Sequence, residues 1–120
     1  MNLLDESKAK LYTASLILII SYLHERNIVY RDLKPENVMI ETSGYPKLID
    51  MGTAKILSGR TFTIVGTPHY MAPEIITGIG YNQMVDYWGI GIMLYEFIYG
   101  EVPFGEEIED TYQIYAAITQ

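Results

Sequence analysis

The chain has no cysteine, which excludes a disulfide framework and any thiolate metal site. That composition fits a reducing compartment, and the cytoplasm is the expected location. Its two histidines, His24 and His69, lie far apart with no Cys or carboxylate cluster at ligand spacing, so neither is given a metal role. The longest apolar run, Leu16 to Ile20, is far too short to span a bilayer. Asp5, Glu6, Lys8 and Lys10 interrupt the opening segment, which therefore does not read as a secretory signal. Cations are also missing from half of the chain. Residues 61–120 hold eight acids and no Lys or Arg, against seven acids and eight Lys or Arg in residues 1–60. An acidic half is ill suited to nucleic acid, whose phosphates need cations, and would suit a basic peptide. The run from Glu101 to Asp110 reads as ordinary solubility charge.

What is present is a core. Hydrophobic residues make up 49% of 120 residues, enough for one folded domain and too many for a disordered tail. Residues 5–25 read as one long helix in which Leu4, Leu11, Ala14, Leu18 and Tyr22 recur at helical spacing. The Leu16–Ile20 run makes that helix apolar on several sides, so burial in a larger body is expected. Ile28 to Tyr30 is a short extended piece. Residues 38–40 and 47–49 are apolar runs separated by a turn containing Gly44 and Pro46, which predicts a hairpin. Residues 53–73 carry no period and read as one long loop. Residues 84–99 form a continuously apolar helix stopped by Gly100, with Trp88, Met93 and Phe97 as core. Asp110 or Thr111 would cap a last short helix through Ile118.

The chemistry sits in Tyr30-Arg31-Asp32-Leu33-Lys34-Pro35-Glu36-Asn37, followed thirteen residues after Asn37 by Asp50-Met51-Gly52 and later by Ala72-Pro73-Glu74. Phoshoryl transfer from a metal-bound nucleotide needs a base to orient a hydroxyl, a cation for the moving phosphoryl group and oxygen ligands for Mg²⁺. Asp32 suits the first task and Lys34 the second. Asn37 and Asp50 offer the hard oxygens that Mg²⁺ prefers. Taken singly, Asp32 and Asp50 are ordinary loop carboxylates and Asn37 a turn former; the order and intervals of the three strings weigh against that reading.

These strings resemble the catalytic loop, metal-binding loop and peptide-positioning segment of eukaryotic Ser/Thr protein kinases. Tyr30, where most kinases have His, is similar to the AGC-type branch containing the cyclic-nucleotide-dependent enzymes, as are Gly66 to Glu74 and Val85-Asp86-Tyr87-Trp88. Gly59 to Thr63 and Pro103 to Glu107 resemble the cGMP-dependent kinases of unicellular eukaryotes. The resemblance implies an α+β fold, the mainly α-helical large lobe of a kinase with one small β-hairpin, truncated at both ends. It implies ATP and Mg²⁺ as cofactors, with Met39 joining Asn37 and Asp50 at the nucleotide. It matches Thr63 to an activation-loop phosphorylation site with Arg31 and Lys55 as receivers of the phosphate. Thr67 matches a threonine that hydrogen-bonds the catalytic Asp and Lys, a mark of Ser/Thr specificity. Glu36 and Glu96 match acids that receive arginines of a basic peptide substrate, although Glu96 reads equally well as a helix-surface carboxylate. Asp86 is either an N-cap or, by the resemblance, the residue that holds the catalytic loop's backbone.

Two departures stand out. Met51 replaces the usual Phe after the metal-binding Asp, and a flexible apolar side chain fills the same slot. No Gly-rich phosphate loop or Val-Ala-Ile-Lys strand precedes the catalytic loop, so residues 1–120 read as a partial kinase domain with the small lobe absent. A partner for Glu74 is expected beyond Gln120, and any cyclic-nucleotide-binding region elsewhere in a full-length protein. The isolated chain is expected to have little phosphotransfer activity. The alternative is a non-catalytic interaction fragment or pseudogene-type product that binds a peptide or a kinase partner.

Overall fold

The computed structural model describes residues 4–120. Two long helices pack on each other and carry the rest. Helix α1 (Glu6–His24) starts at Asp5, whose Oδ1 accepts the amide of Lys8 at 2.8 Å and satisfies one of the free donors of the first turn. A strand β1 (Ile28–Val29) follows, then a 3-10 turn at Pro35–Asn37 and the hairpin of β2 (Val38–Ile40) and β3 (Pro46–Leu48). That hairpin pairs Val38 with Leu48 and Met39 with Lys47, the expected hairpin with its second strand starting one residue earlier. Strand β4 (Lys55–Ile56) returns to pair antiparallel with β1, Ile28 opposite Ile56. Residues 53–73 are therefore not one unbroken loop: they contain β4 and a second 3-10 turn, Pro68–Tyr70. Two residues carry too little period-2 pattern to announce a strand.

Helix α2 (Pro73–Ile76) is a single turn, α3 (Val85–Tyr99) the central helix, and α4 (Thr111–Thr119) the last. Gly100 ends α3 at φ 80°, a left-handed conformation that costs glycine nothing. Asp110, not Thr111, caps α4, its Oδ2 accepting the amide of Gln113 at 3.0 Å.

One core joins α1 to α3 through Ala9, Leu16, Ile20, Met93 and Phe97, with Tyr30 and Leu33 of the intervening loop closing it. A second lies under α2, where Val29, Met71, Ile75, Tyr81 and Val85 meet. The buried face of α1 differs from the stripe the sequence suggested. Leu11, Leu18 and Tyr22 point outward, and Leu18 is 72% exposed. An all-round apolar helix has more than one stripe at helical spacing, and only packing against α3 decides which is buried. Gly89 lets the loop after β1 close on α3, since a Cβ there would sit 3.1 Å from the Cβ of Leu33. Among the described residues no helix is long and apolar enough to cross a membrane.

Candidate active site

The loop after β1 is built around Asp86. This residue lies inside α3 and is 2% exposed. Its Oδ2 accepts the amide of Tyr30 and its Oδ1 the amide of Arg31, both at 2.8 Å. His24, from the last turn of α1, hydrogen-bonds Oδ2 at 2.9 Å. Asp86 is thus a tether for the loop and not an N-cap. Arg31 is held at φ 75°, a conformation that costs a non-glycine residue energy and persists only where its surroundings impose it.

Asp32 is fixed from two sides. Asn37 donates through Nδ2 to its backbone oxygen at 2.8 Å and to its Oδ2 at 3.3 Å. The hydroxyl of Thr67 donates to Asp32 Oδ1 at 2.9 Å and accepts from Lys34 Nζ at 2.8 Å. Lys34 Nζ stands 3.8 Å from Asp32 Oδ2. Lys34, Asn37 and Thr67 thus meet around Asp32, whereas the carboxylate of Asp50 makes no bond to this group. The crossing needs Gly66, at φ 120°, where a Cβ would come within 2.9 Å of the Arg31 carbonyl oxygen.

Asp50 enters from the other side. The amide of Ile49 donates to the Asn37 carbonyl at 3.1 Å, which couples the two segments. Asp50 is exposed and turns its Oδ1 onto the amide of Gly52 at 2.8 Å. Met51 is solvent-exposed as well, outside the apolar slot expected for it, and Met39 is exposed on β2. Beneath this junction lies the phenol of Tyr30. It is fully buried, and its hydroxyl has no hydrogen-bond partner among the described residues. Burial, with the negative charges of Asp32 and Asp50 beside it, pushes its pKa up to about 12. The backbone of Asp50 tempers that rise without reaching hydrogen-bonding geometry.

The two proposed phosphate receivers bond to different partners. Arg31 donates through Nε to the Thr53 carbonyl at 2.7 Å and through Nη1 to the hydroxyl of Tyr81 at 3.3 Å. Lys55 Nζ reaches Thr61 Oγ1 at 3.1 Å, while the side chain of Thr63 is exposed. On the substrate side, Tyr70 donates to Glu96 Oε1 at 2.6 Å. Burial and that bond to Glu96, with Glu36 and Glu106 adding negative charge, drive the Tyr70 phenol far above its ordinary range, so it remains a donor. Glu96 is thereby partly used, whereas Glu36 is exposed. His24, Tyr70 and Tyr81 had no role in the sequence reading. Tyr70 falls inside a quoted motif, but nothing in the sequence marks Tyr81.

A carboxylate held between an ammonium, a hydroxyl and an amide, on a loop anchored to a central helix, meets the demand for positioning that phosphoryl transfer makes. The chain belongs to the protein kinase domain family, whose model matches residues 1–120. It is 57% identical over 118 residues to the cGMP-dependent protein kinase of Plasmodium berghei, covering 98% of this chain and 14% of that protein. It is 55% identical over 118 residues to the cGMP-dependent protein kinase of Toxoplasma gondii, covering 98% and 12%. Against the cAMP-dependent protein kinase catalytic subunit of Dictyostelium discoideum it is 48% identical over 114 residues, covering 95% and 17%. The chain thus spans 12–17% of the length of these three relatives.

Proposed function

We propose that this segment supplies the catalytic loop, metal-binding loop and activation segment of a Ser/Thr protein kinase. The protein that carries it would transfer the γ-phosphoryl group of ATP to basic peptides, under cyclic-nucleotide control of the kind that the relatives' names indicate. The observation that carries this reading is the joint grip of Thr67, Lys34 and Asn37 on Asp32. Held so, Asp32 has one rotamer in which to receive and orient a substrate hydroxyl, and positioning is most of what phosphoryl transfer asks of a protein. Lys34, in hydrogen-bond contact with Thr67, is placed to meet a phosphoryl oxygen as the hydroxyl attacks. The cytoplasm remains the proposed location, in keeping with the lack of cysteine.

The residues present fit a magnesium ion. Asn37 spends its amide hydrogens on Asp32, which leaves its carbonyl oxygen as the free polar atom of that side chain. Asp50 uses Oδ1 locally and retains Oδ2. Among the described residues no group of three or more His, Cys, Asp or Glu gathers at one point. A site of one carboxylate and one amide oxygen suits Mg²⁺, which keeps waters and takes phosphate oxygens as its other ligands. When bound, Mg²⁺-ATP supplies the phosphoryl group and neutralises charge on it. Asn37 and Asp50 would hold the metal, and Met39 would lie against the nucleotide.

For the substrate, Glu36 offers an exposed carboxylate and Glu96 one oxygen beyond its bond to Tyr70, an acidic pair suited to arginine. Calorimetry of ATP binding by the full native polypeptide tests the reading. Binding should require Mg²⁺ and weaken at least tenfold in Asp50→Ala; equal affinity with and without the metal would overturn it.

A further inference from the structure

The segment bearing Thr63 is strapped to residues 79–81. Thr61 and Tyr81 exchange two backbone hydrogen bonds, at 3.1 and 3.0 Å. Arg60 Nη1 reaches the Ile79 carbonyl at 3.4 Å. The ring of Phe62 lies over Gly80, where a Cβ would come within 2.8 Å of its Cε1. Gly80 also sits at φ 90°, so both its backbone and the aromatic ring select glycine there. The strap ends at the phenol of Tyr81, a residue only 3% exposed. Its hydroxyl donates to the Thr63 carbonyl at 2.5 Å and accepts from Arg31 Nη1 at 3.3 Å.

We infer that Tyr81 is a positioning residue for the activation segment: its hydroxyl holds Thr63 beside Arg31 in the unphosphorylated chain, and a phosphate on Thr63 takes over that hold. A neutral phenol bridging guanidinium and carbonyl is a weaker partner for Arg31 than a phosphate carrying nearly two negative charges. The phenol therefore fixes the segment without competing with the phosphate that follows. Without such a bridge, more of the entropy cost of ordering the exposed residues around Thr63 would fall on the phosphate's own binding energy. The part of the inference that concerns phosphate rests on reading Thr63 as the acceptor.

Hydrogen exchange of the amides of residues 61–64 tests this in the full native polypeptide. It is measured with Thr63 unmodified and with phosphothreonine installed there by semisynthesis, each with Tyr81 and with Tyr81→Phe. The phenylalanine keeps the ring in its core and removes only the hydroxyl, so the fold survives. Loss of that hydrogen bond should speed exchange about fivefold in the unmodified protein and by less than about twofold in the phosphorylated one. Exchange unchanged by Tyr81→Phe in the unmodified protein would overturn the inference. So would an equal increase in both forms, provided that phosphate slows exchange when Tyr81 is present. If phosphate leaves exchange unaltered even with Tyr81 present, the reading of Thr63 as a switch fails, and replacement of the phenol by phosphate fails with it.

Discussion

Asp86 dictates the backbone of Arg31. The Arg31 amide donates to Asp86 Oδ1 at 2.8 Å, and Arg31 stands at φ 75°. A non-glycine residue in that region costs about 1–3 kcal/mol. A hydrogen bond to a charged acceptor returns about 1.5–3 kcal/mol, and Asp86 makes two of them to this loop. The tether outweighs the strain, which is why a conformation unfavourable in isolation persists beside Asp32.

Asp86→Ala should therefore be among the most damaging single substitutions in the chain. It leaves the buried Tyr30 amide and the part-buried Arg31 amide without an acceptor, an expected loss of roughly 3–5 kcal/mol in urea unfolding at neutral pH. A loss below about 1 kcal/mol, the size of an average substitution, would show that the loop holds its shape without Asp86.

Helix α1 offers a test of which stripe is core. Leu16 is fully buried and Leu18 is 72% exposed, although both belong to the same apolar run. Leu16→Ala should cost about 2–5 kcal/mol and Leu18→Ala less than about 0.5 kcal/mol, read from denaturation midpoints. Comparable losses at the two positions would contradict the packing of α1 on α3.

Much of this was legible in the sequence. A cap at Asp110 or Thr111, the hairpin and the Gly100 stop follow from local chemistry that needs no tertiary partner. Asp32, Lys34 and Asn37 were legible as a group for a different reason, because phosphoryl transfer constrains residue type and interval together, and Thr67 joined them only through the family resemblance. What stayed hidden was set by packing. The sequence of α1 supports several apolar faces, and only the approach of α3 selects Ala9, Leu16 and Ile20. Pairing of β4 with β1 involves two residues of each strand, too few for a pattern. His24 on Asp86 and Tyr81 on Arg31 are meetings across more than fifty and exactly fifty positions, respectively, with no local trace.

Tyr30 makes stability depend on alkaline pH. Its phenol has an ordinary pKa of 10.0 when exposed in the unfolded chain and about 12 in the fold. Above pH 10 the unfolded chain releases this proton first, so the folded state is progressively disfavoured. The contribution is whole below pH 10 and is lost as pH rises toward 12, a decline of roughly 2–3 kcal/mol. Unfolding free energies from pH 9 to 12 should fall less steeply in Tyr30→Phe than in the native protein. Parallel curves would show that the Tyr30 phenol titrates normally in the fold.

Thr67 couples Asp32, the proposed base, to Lys34, and Thr67→Val removes both of its hydrogen bonds while keeping the shape. In the full native polypeptide kcat should fall about tenfold to a hundredfold with KM for ATP little changed, because the loss is of alignment. An unaltered kcat would mean that Asp32 is positioned by Asn37 alone.

The most direct measurement compares peptide phosphorylation by the full native polypeptide with that of its Asp32→Asn form, using Mg²⁺-ATP and an arginine-containing serine peptide. Asparagine keeps the shape and the hydrogen bond from Thr67 but cannot take a proton. The rate should fall by about a thousandfold while the affinity for Mg²⁺-ATP is retained. A variant that phosphorylates the peptide at the native rate would contradict the assignment of Asp32 as the catalytic base.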